Sequence, residues 1–318
     1  MHAAVVTAFD SPPAYREFPV PTPRTPHEAV VDVIATGLHP RVRSQADGSH
    51  YTSTDELPLV PGIDGVGRAP DGSVRYFVLP DTTMGAMAEQ TVIDLRRSIE
   101  LPAGTDPVAV AAGMNPAMSS WVALRRRIDF RSGQSVLVLG ATGSAGRLAV
   151  QVARLLGAGK VVGAGRHPGR LATLTELGAD ETVSLDGDPG EVDDRLGRAA
   201  ADVDVVIDYL WGAPAAGAIR ALVTERSDRG VPLTWVQIGS VAGPEAAIPS
   251  AALRAARLQI VGSGQGSVPT RDILAELPDL ATEIASGKLR LDARGVPLAD
   301  VGSAWAETGR DERIVITP

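Results

Sequence analysis

The sequence predicts an α/β protein: a doubly wound parallel sheet joined to a separate, β-rich domain. Three observations carry this. At 318 residues the chain exceeds one ordinary core and suits about two domains. Its first hundred or so residues offer short β-rich runs broken by Pro, Gly and Asp. From Ser135 onward, short apolar runs alternate with helix-like segments, the pattern of a sheet covered on both faces.

In the first part the β-rich runs are Ala3–Thr7, Ala29–Ala35, Val74–Leu79 and Gln90–Ile93. The stretch LPLVPGIDGVG, Leu57–Gly67, sets two prolines and three glycines around a short apolar run and predicts a tight, irregular corner. In the second part Val136–Leu139 reads as a strand, and Ala145–Leu156 as a helix ended by Gly157. Lys160–Ala164 follows as a strand and Arg170–Leu177 as a helix ended by Gly178. Thr182–Leu185, Asp204–Leu210, Leu233–Ile238 and Leu258–Val261 complete six strands. A further helix is predicted over Arg271–Ser286, then strands at Gly295–Pro297 and Arg313–Ile316, with the tail expected back in the first domain. The expected division is 1–117 completed by 266–318, and 118–265.

Composition narrows the function. A hydrophobic fraction of 44% with 21% charged residues is that of a globular protein. The net charge of −8 leaves no basic excess for a phosphate backbone, so nucleic acid is not an expected partner. Zero cysteines exclude disulfides, thiol nucleophiles and thiolate metal sites. MHAAVVTAFDSPPAYREF lacks the apolar run of a secretory leader, and no stretch approaches the ~20 apolar residues of a membrane span. A cytoplasmic protein with no membrane partner is expected.

The sharpest motif is VLVLGATGSAGRLAVQVARLLGA, Val136–Ala158. A strand runs into Gly140-x-x-Gly143-x-x-Gly146 and then into a helix, with a second strand after it. Glycines there let the backbone approach a pyrophosphate, and the helix N-terminus offers free N–H groups and partial positive charge. This is a Rossmann dinucleotide site, with Thr142, Ser144 and Ala145 inside the loop. An NAD site would carry Asp or Glu ~20 residues on to hold the ribose 2′-hydroxyl. Gly157–Thr175 contains neither; the second strand runs out at Gly163-Ala164-Gly165-Arg166, with Arg170 following. A guanidinium grips a 2′-phosphate where a carboxylate would repel it. The expected cofactor is NADP(H), read by Arg166 with Arg170.

With these residues in view the chain resembles the medium-chain dehydrogenase/reductase superfamily, in its zinc-free quinone oxidoreductase-like branch. The likeness spans nearly the whole length. It includes Leu57-Pro58 with Pro61–Gly67, Gly85-Ala86-Met87-Ala88-Glu89, the glycine loop and Leu177-Gly178-Ala179-Asp180. Val206-Ile207-Asp208, Val236–Ser240, and Ala304-Trp305 near Arg313–Ile316 continue it. The resemblance implies a GroES-like β-barrel for the first domain and the tail, substrate in the cleft between the domains, and homodimers pairing near Leu258–Val261. Where zinc members place Cys, His and Cys, this chain has His39, Ile63 and Asn115, with Asp64 at the position of a neighbouring Glu. One imidazole without soft partners does not build a tetrahedral site, so no metal is expected. His39 is expected to be a hydrogen-bonded loop or pocket-wall residue.

The same resemblance nominates the chemistry. Tyr51 falls where many members carry a tyrosine whose phenol donates to the substrate carbonyl or delivers a proton; the alternative is a pocket wall. Asn115, in GMNPAMSSW, resembles the Asn-Pro of enoyl-thioester reductases and would orient nicotinamide or substrate. Ser119 falls where a threonine often meets the cofactor amide. Buried, satisfied polar groups are the alternative for both. Gly239, Ser240, Gly262 and Gly264 end the fifth and sixth strands, where ligands bind outside such sheets; turn-making is their alternative. Asp208 is expected to shape the loop beside the cofactor, and Tyr209 and Trp211 to pack or line the pocket. Without a Lewis acid, reduction of an activated small-molecule acceptor, a quinone or α,β-unsaturated carbonyl, asks least of the protein. An enoyl-thioester reductase and an NADPH-binding protein without turnover stand as alternatives.

Overall fold

In the computed structural model, which describes residues 1–307 and 312–318, the chain divides into two compact units, Met1–Asn115 with Leu274–Pro318, and Pro116–Ile273. In the first unit β1 (His2–Val5) and β2 (Ala14–Glu17) form an antiparallel pair. The ten-residue β3 (Glu28–Gly37) leads into the short helix α1 (Pro40–Ala46), whose Pro40 has the fixed φ and missing N–H that suit a first turn. After it come β4 (Asp64–Arg68), β5 (Val74–Val78), β6 (Gln90–Asp94) and β7 (Ser98–Glu100). β3 pairs antiparallel with both β4 and β6, and its register shifts between Val33 and Ala35.

The corner predicted over Leu57–Gly67 is shorter than the motif suggested. Asp64–Gly67 belong to β4, which lies tightly on β3: a Cβ on Gly65 would sit 2.9 Å from the Ala35 oxygen, and one on Gly67 3.0 Å from the Asp32 oxygen. Those glycines serve close strand contact. Gly62, at φ +114, keeps the turn itself.

The helix α2 (Pro107–Val122) has no counterpart among the predicted elements, and the boundary between the units falls within it. Val110–Met114 and Ala117 are almost wholly buried, so the helix shows no polar face and no 3.6-residue alternation to read. A π-helical turn, Ala123–Arg127, follows it.

The second unit alternates strand and helix throughout: β8 (Ser135–Leu139), α3 (Ser144–Leu155), β9 (Lys160–Gly165), α4 (Pro168–Thr173), β10 (Glu181–Ser184) and α5 (Pro189–Ala200). β11 (Val205–Asp208), α6 (Gly212–Glu225), β12 (Leu233–Gln237), α7 (Ser250–Ala255) and β13 (Leu258–Gly262) complete it. The six strands lie in the order β10-β9-β8-β11-β12-β13, and every neighbouring pair is parallel. That is the doubly wound order with its topological switch between β8 and β11, outside whose C-terminal ends such sheets bind ligands. Leu137, Leu139, Val162, Val206, Ile219, Leu222 and Trp235 form the centre of its core.

Two elements of this unit stop well short of their predicted ends. The helix expected over Arg170–Leu177 ends at Thr173, and the strand expected over Asp204–Leu210 stops at Asp208, whose own carboxylate captures the next amides.

The chain closes with α8 (Thr270–Ala285), β14 (Ala293–Pro297), α9 (Val301–Ala306) and β15 (Arg313–Thr317). β15 pairs parallel with β14 and antiparallel with β3, so the tail joins the sheet of the first unit, ordered β14-β15-β3-β4-β5-β7 with β6 on β3. The second division falls within α8, later than the expected 265/266.

Candidate active site

The predicted loop residues stand at the C-terminal end of β8. Gly140 adopts φ +84, and its amide and that of Ala141 both donate to the Ala164 oxygen of β9, at 2.9 and 2.8 Å. Gly143 donates to the Gly140 oxygen at 3.1 Å and becomes the N-cap of α3, where no side chain takes up the first-turn N–H groups. A Cβ on Gly146 would fall 2.2 Å from the Gly140 oxygen, whereas one on Gly143 would meet nothing nearer than 3.6 Å. Gly146 is thus a packing glycine, and Gly143 is open, as a backbone that must admit a ligand would be. Thr142 lies over the end of β9, where a Cβ on Gly165 would come within 2.5 Å of its Cγ2. Ser144 and Ala145 begin the helix, both half-buried.

Arg166 is exposed directly after β9, and Arg170 is half-buried in α4. His167 caps that helix, its Nδ1 accepting the Arg170 amide at 3.3 Å.

At the switch point Asp208 is fully buried. Its Oδ1 accepts the amides of Leu210 (2.8 Å) and Trp211 (3.0 Å), and its Oδ2 accepts the Trp235 indole N–H (3.0 Å). Burial raises its carboxyl above the ordinary value, against the lowering effect of those three donors. The carboxylate shapes the loop: Trp211 is held at φ 51, a conformation unfavourable to a bulky side chain. A Cβ on Gly239 would strike the Tyr209 oxygen at 2.8 Å, so that glycine is required by close passage of the β11 loop.

Ser119 joins this cluster. Its hydroxyl donates to the Pro116 oxygen at 2.7 Å, which leaves the Tyr209 hydroxyl, 2.8 Å away, to donate to Ser119. Burial pushes the Tyr209 phenol up to about 12. The sequence reading left Tyr209 to pack or line the pocket; the Ser119–Tyr209 bond spans 90 positions and has no local signal. Ser240, Gly262 and Gly264 are exposed. Arg127 Nε donates to the Gly262 oxygen at 2.7 Å, and the Gly264 amide donates to Ser267 Oγ at 2.8 Å.

In the first unit Tyr51 is 74% exposed and stacks on His50, with ring centroids 4.3 Å apart. Asn115 is half-buried within α2, immediately before Pro116. His39 is buried at the N-cap of α1, with Nε2 3.1 Å from Asp64 Oδ1. Asp64 also accepts the Tyr76 hydroxyl at 2.7 Å, and its main-chain oxygen accepts Thr36 Oγ1 at 2.8 Å. Burial lowers His39, more than its bond to Asp64 raises it. The expected hydrogen-bonded His39 is therefore a neutral imidazole donating to Asp64, in a network that sequence reasoning did not assemble.

Known proteins resemble this chain. The probable NADPH-dependent quinone reductase tdiC of Emericella nidulans is 34% identical, with the whole of both chains covered. The chain belongs to the medium-chain dehydrogenase/reductase superfamily, in its quinone oxidoreductase-like branch. Within that superfamily, a family model described as zinc-binding dehydrogenase matches residues 145–283. The quinone oxidoreductase of Thermus thermophilus, solved also in complex with NADPH, superposes with a TM-score of 0.80 at 25% identity, both chains being fully covered. The NADPH-dependent alkenal/one oxidoreductase of Arabidopsis thaliana is 26% identical over 63% of this chain and 59% of its own.

Superfamily membership raises two groups whose fit the residues decide. NADPH fits: an uncapped helix N-terminus, an open Gly143 and an acid-free β9 end with Arg166 supply what its phosphates need. Zinc does not. The chain has no cysteine, His39 is engaged by Asp64, and no group of three potential ligands exists among the described residues.

Proposed function

We propose that this protein uses NADPH, and no zinc, to reduce an activated small-molecule acceptor, a quinone or α,β-unsaturated carbonyl. The observation that carries this is the glycine loop opening onto an acid-free, arginine-bearing strand end. The quinone reductase and alkenal/one oxidoreductase relatives support the acceptor class.

In this reading Pro116–Ile273 is the dinucleotide-binding unit, and the remainder shapes the substrate site. When bound, NADPH supplies the hydride. Main-chain N–H groups of Thr142, Ser144, Ala145 and Gly146 hold the pyrophosphate, Gly140 and Gly143 shape the loop around it, and Arg166 and Arg170 take the 2′-phosphate. Ser119, oriented by Tyr209, meets the nicotinamide amide, while Gly239, Ser240, Gly262 and Gly264 pass their backbone beside that half. Asn115 orients the reacting partners. The Tyr51 phenol donates to the acceptor oxygen on which negative charge develops, so no Lewis acid is required. Two copies pair through the edge strand β13, whose outer backbone groups face no strand among the described residues. Cytoplasmic residence belongs to the same proposal, and cell fractionation tests it. No helix among the described residues is long and apolar enough to cross a membrane.

The test is steady-state oxidation of NADPH against quinones, enones and enoyl thioesters. Turnover is expected with the first two classes. Preference for thioesters would move the assignment to an enoyl-thioester reductase, and tight NADPH binding with no turnover would make this a binding protein.

A further inference from the structure

Tyr51 combines two properties that rarely meet. It is the most exposed of the tyrosines, yet the residues on either side of it are tied down. Thr52 Oγ1 accepts from Arg41 Nη2 at 2.7 Å and donates to Asp81 Oδ2 at 2.7 Å, while Arg41 Nη2 also meets Asp81 Oδ1 at 2.5 Å. The three side chains close a ring. Arg41 comes from the first turn of α1, and Asp81 from the loop after β5, 40 positions away. Both charged side chains are largely buried, at 14% and 11% exposure, so salt screens this pair less than a surface pair.

The other side is held as well. His50 Nδ1 accepts the Thr52 amide at 3.2 Å and lies 2.9 Å from Thr52 Oγ1. The His50 amide donates to the Ser44 oxygen of α1 at 3.1 Å, and the His50 oxygen accepts from Ser53 N at 2.9 Å. Burial, and after it the Arg41 charge, lower the imidazole, with Asp81 opposing; a neutral ring leaves Nδ1 free to accept. Tyr51 stacks on that fixed ring at an interplanar angle of 30°. Tyr51 is thus an exposed residue whose two neighbours are bonded to a largely buried ion pair and to α1.

We infer that Arg41, Thr52 and Asp81 form a positioning device for Tyr51, with His50 as the face against which the phenol ring is set. This rests on the reading of Tyr51 as hydrogen-bond donor to the acceptor, and goes beyond it by naming what fixes the donor. Holding a donor where charge will develop avoids reorganisation during reaction, so loosening it lowers kcat while cofactor binding stays unchanged.

Two measurements on the 318-residue chain test this. The first is fluorine NMR of protein labelled with fluorotyrosine at Tyr15, Tyr51, Tyr76 and Tyr209, with the Tyr51 signal assigned by its loss in Tyr51→Phe. Thr52→Val and Asp81→Asn are each expected to move the Tyr51 signal alone towards that of free fluorotyrosine, whereas Thr52→Ser retains the wild-type position. An unmoved Tyr51 signal in both disruptive variants overturns the device. The second is a double-mutant cycle with NADPH and a quinone. Thr52→Val is expected to lower kcat about tenfold, with KM for NADPH unchanged, and to add no further loss in the Tyr51→Phe background. A full, additive loss there overturns the link between the device and the phenol. A wild-type rate in Tyr51→Phe itself removes the donor role, and the NMR result then decides the device separately.

Discussion

Arg166 and His39 show how differently a cation and a neutral imidazole are used in this chain. Arg166 is exposed at the end of β9, with no acid between Gly157 and Thr175 to repel a 2′-phosphate. Arg166→Ala is expected to weaken NADPH by about tenfold or more and NADH by less than about twofold, as titration of cofactor fluorescence would show. Equal losses would mean that another residue reads the phosphate. His39 is the reverse case, with burial disfavouring its charge. Its folded pKa lies below the unfolded value, so between the two the unfolded chain binds more protons. Stability is therefore complete above the ordinary histidine value of about 6.5 and is lost as pH falls below it, by up to about 1.4 kcal/mol per pH unit from this group. Urea midpoints measured from pH 7 to 5 should fall in the wild type and fall less in His39→Gln. Parallel slopes would show that other groups carry the acid sensitivity. The proposal for Arg166 could be drawn from sequence because its signal is local and consists of an acid missing from an expected place. The His39–Asp64–Tyr76 network could not, because it joins the end of β3 to β4 and β5 through contacts that only the fold creates.

At the level of elements, the glycine loop separates two kinds of glycine that look alike in the motif. Gly146→Ala would drive a methyl group into the Gly140 backbone, and a loss of about 3 kcal/mol is expected on chemical denaturation. Gly143→Ala meets no such obstacle and has an ordinary φ of −81, so its melting temperature should stay within about 2 °C while NADPH affinity drops. Unchanged affinity in Gly143→Ala would place the phosphates elsewhere. The order of strands and helices after Ser135 was legible because six apolar runs alternate with helical periodicity at short intervals. α2 was not, since a helix buried on nearly every side carries no alternation, and its internal Pro116 argues locally against it. The end of β11 was hidden for another reason: Asp208 redirects the following amides to its own carboxylate, a choice that hydrophobicity cannot record.

For the molecule as a whole, the superfamily was recognisable from many weak motifs in the right order, while the proposed acceptor residues Tyr51 and Asn115 lie far apart in the chain and share no local pattern. β13 ends the parallel sheet with one side unpaired among the described residues, and it is short and half-buried. Sedimentation velocity should find a two-chain species at micromolar concentration; a single-chain species at all concentrations would remove the proposed pairing. The acidic balance of −8 disfavours adhesion to polyanions, in keeping with a small-molecule enzyme.

The place of β15, between β14 and β3, bears on biosynthesis. The Rossmann half is encoded without interruption and has all its strands once residue 262 has left the ribosome. The other half must wait for residues 313–317, which pair with Thr36 and Gly37 at the end of β3 and with the whole of β14. Premature termination near residue 310 would therefore release a chain whose parallel sheet is complete and whose opening half lacks the strand between β14 and β3, leaving β14 exposed to strand-edge association.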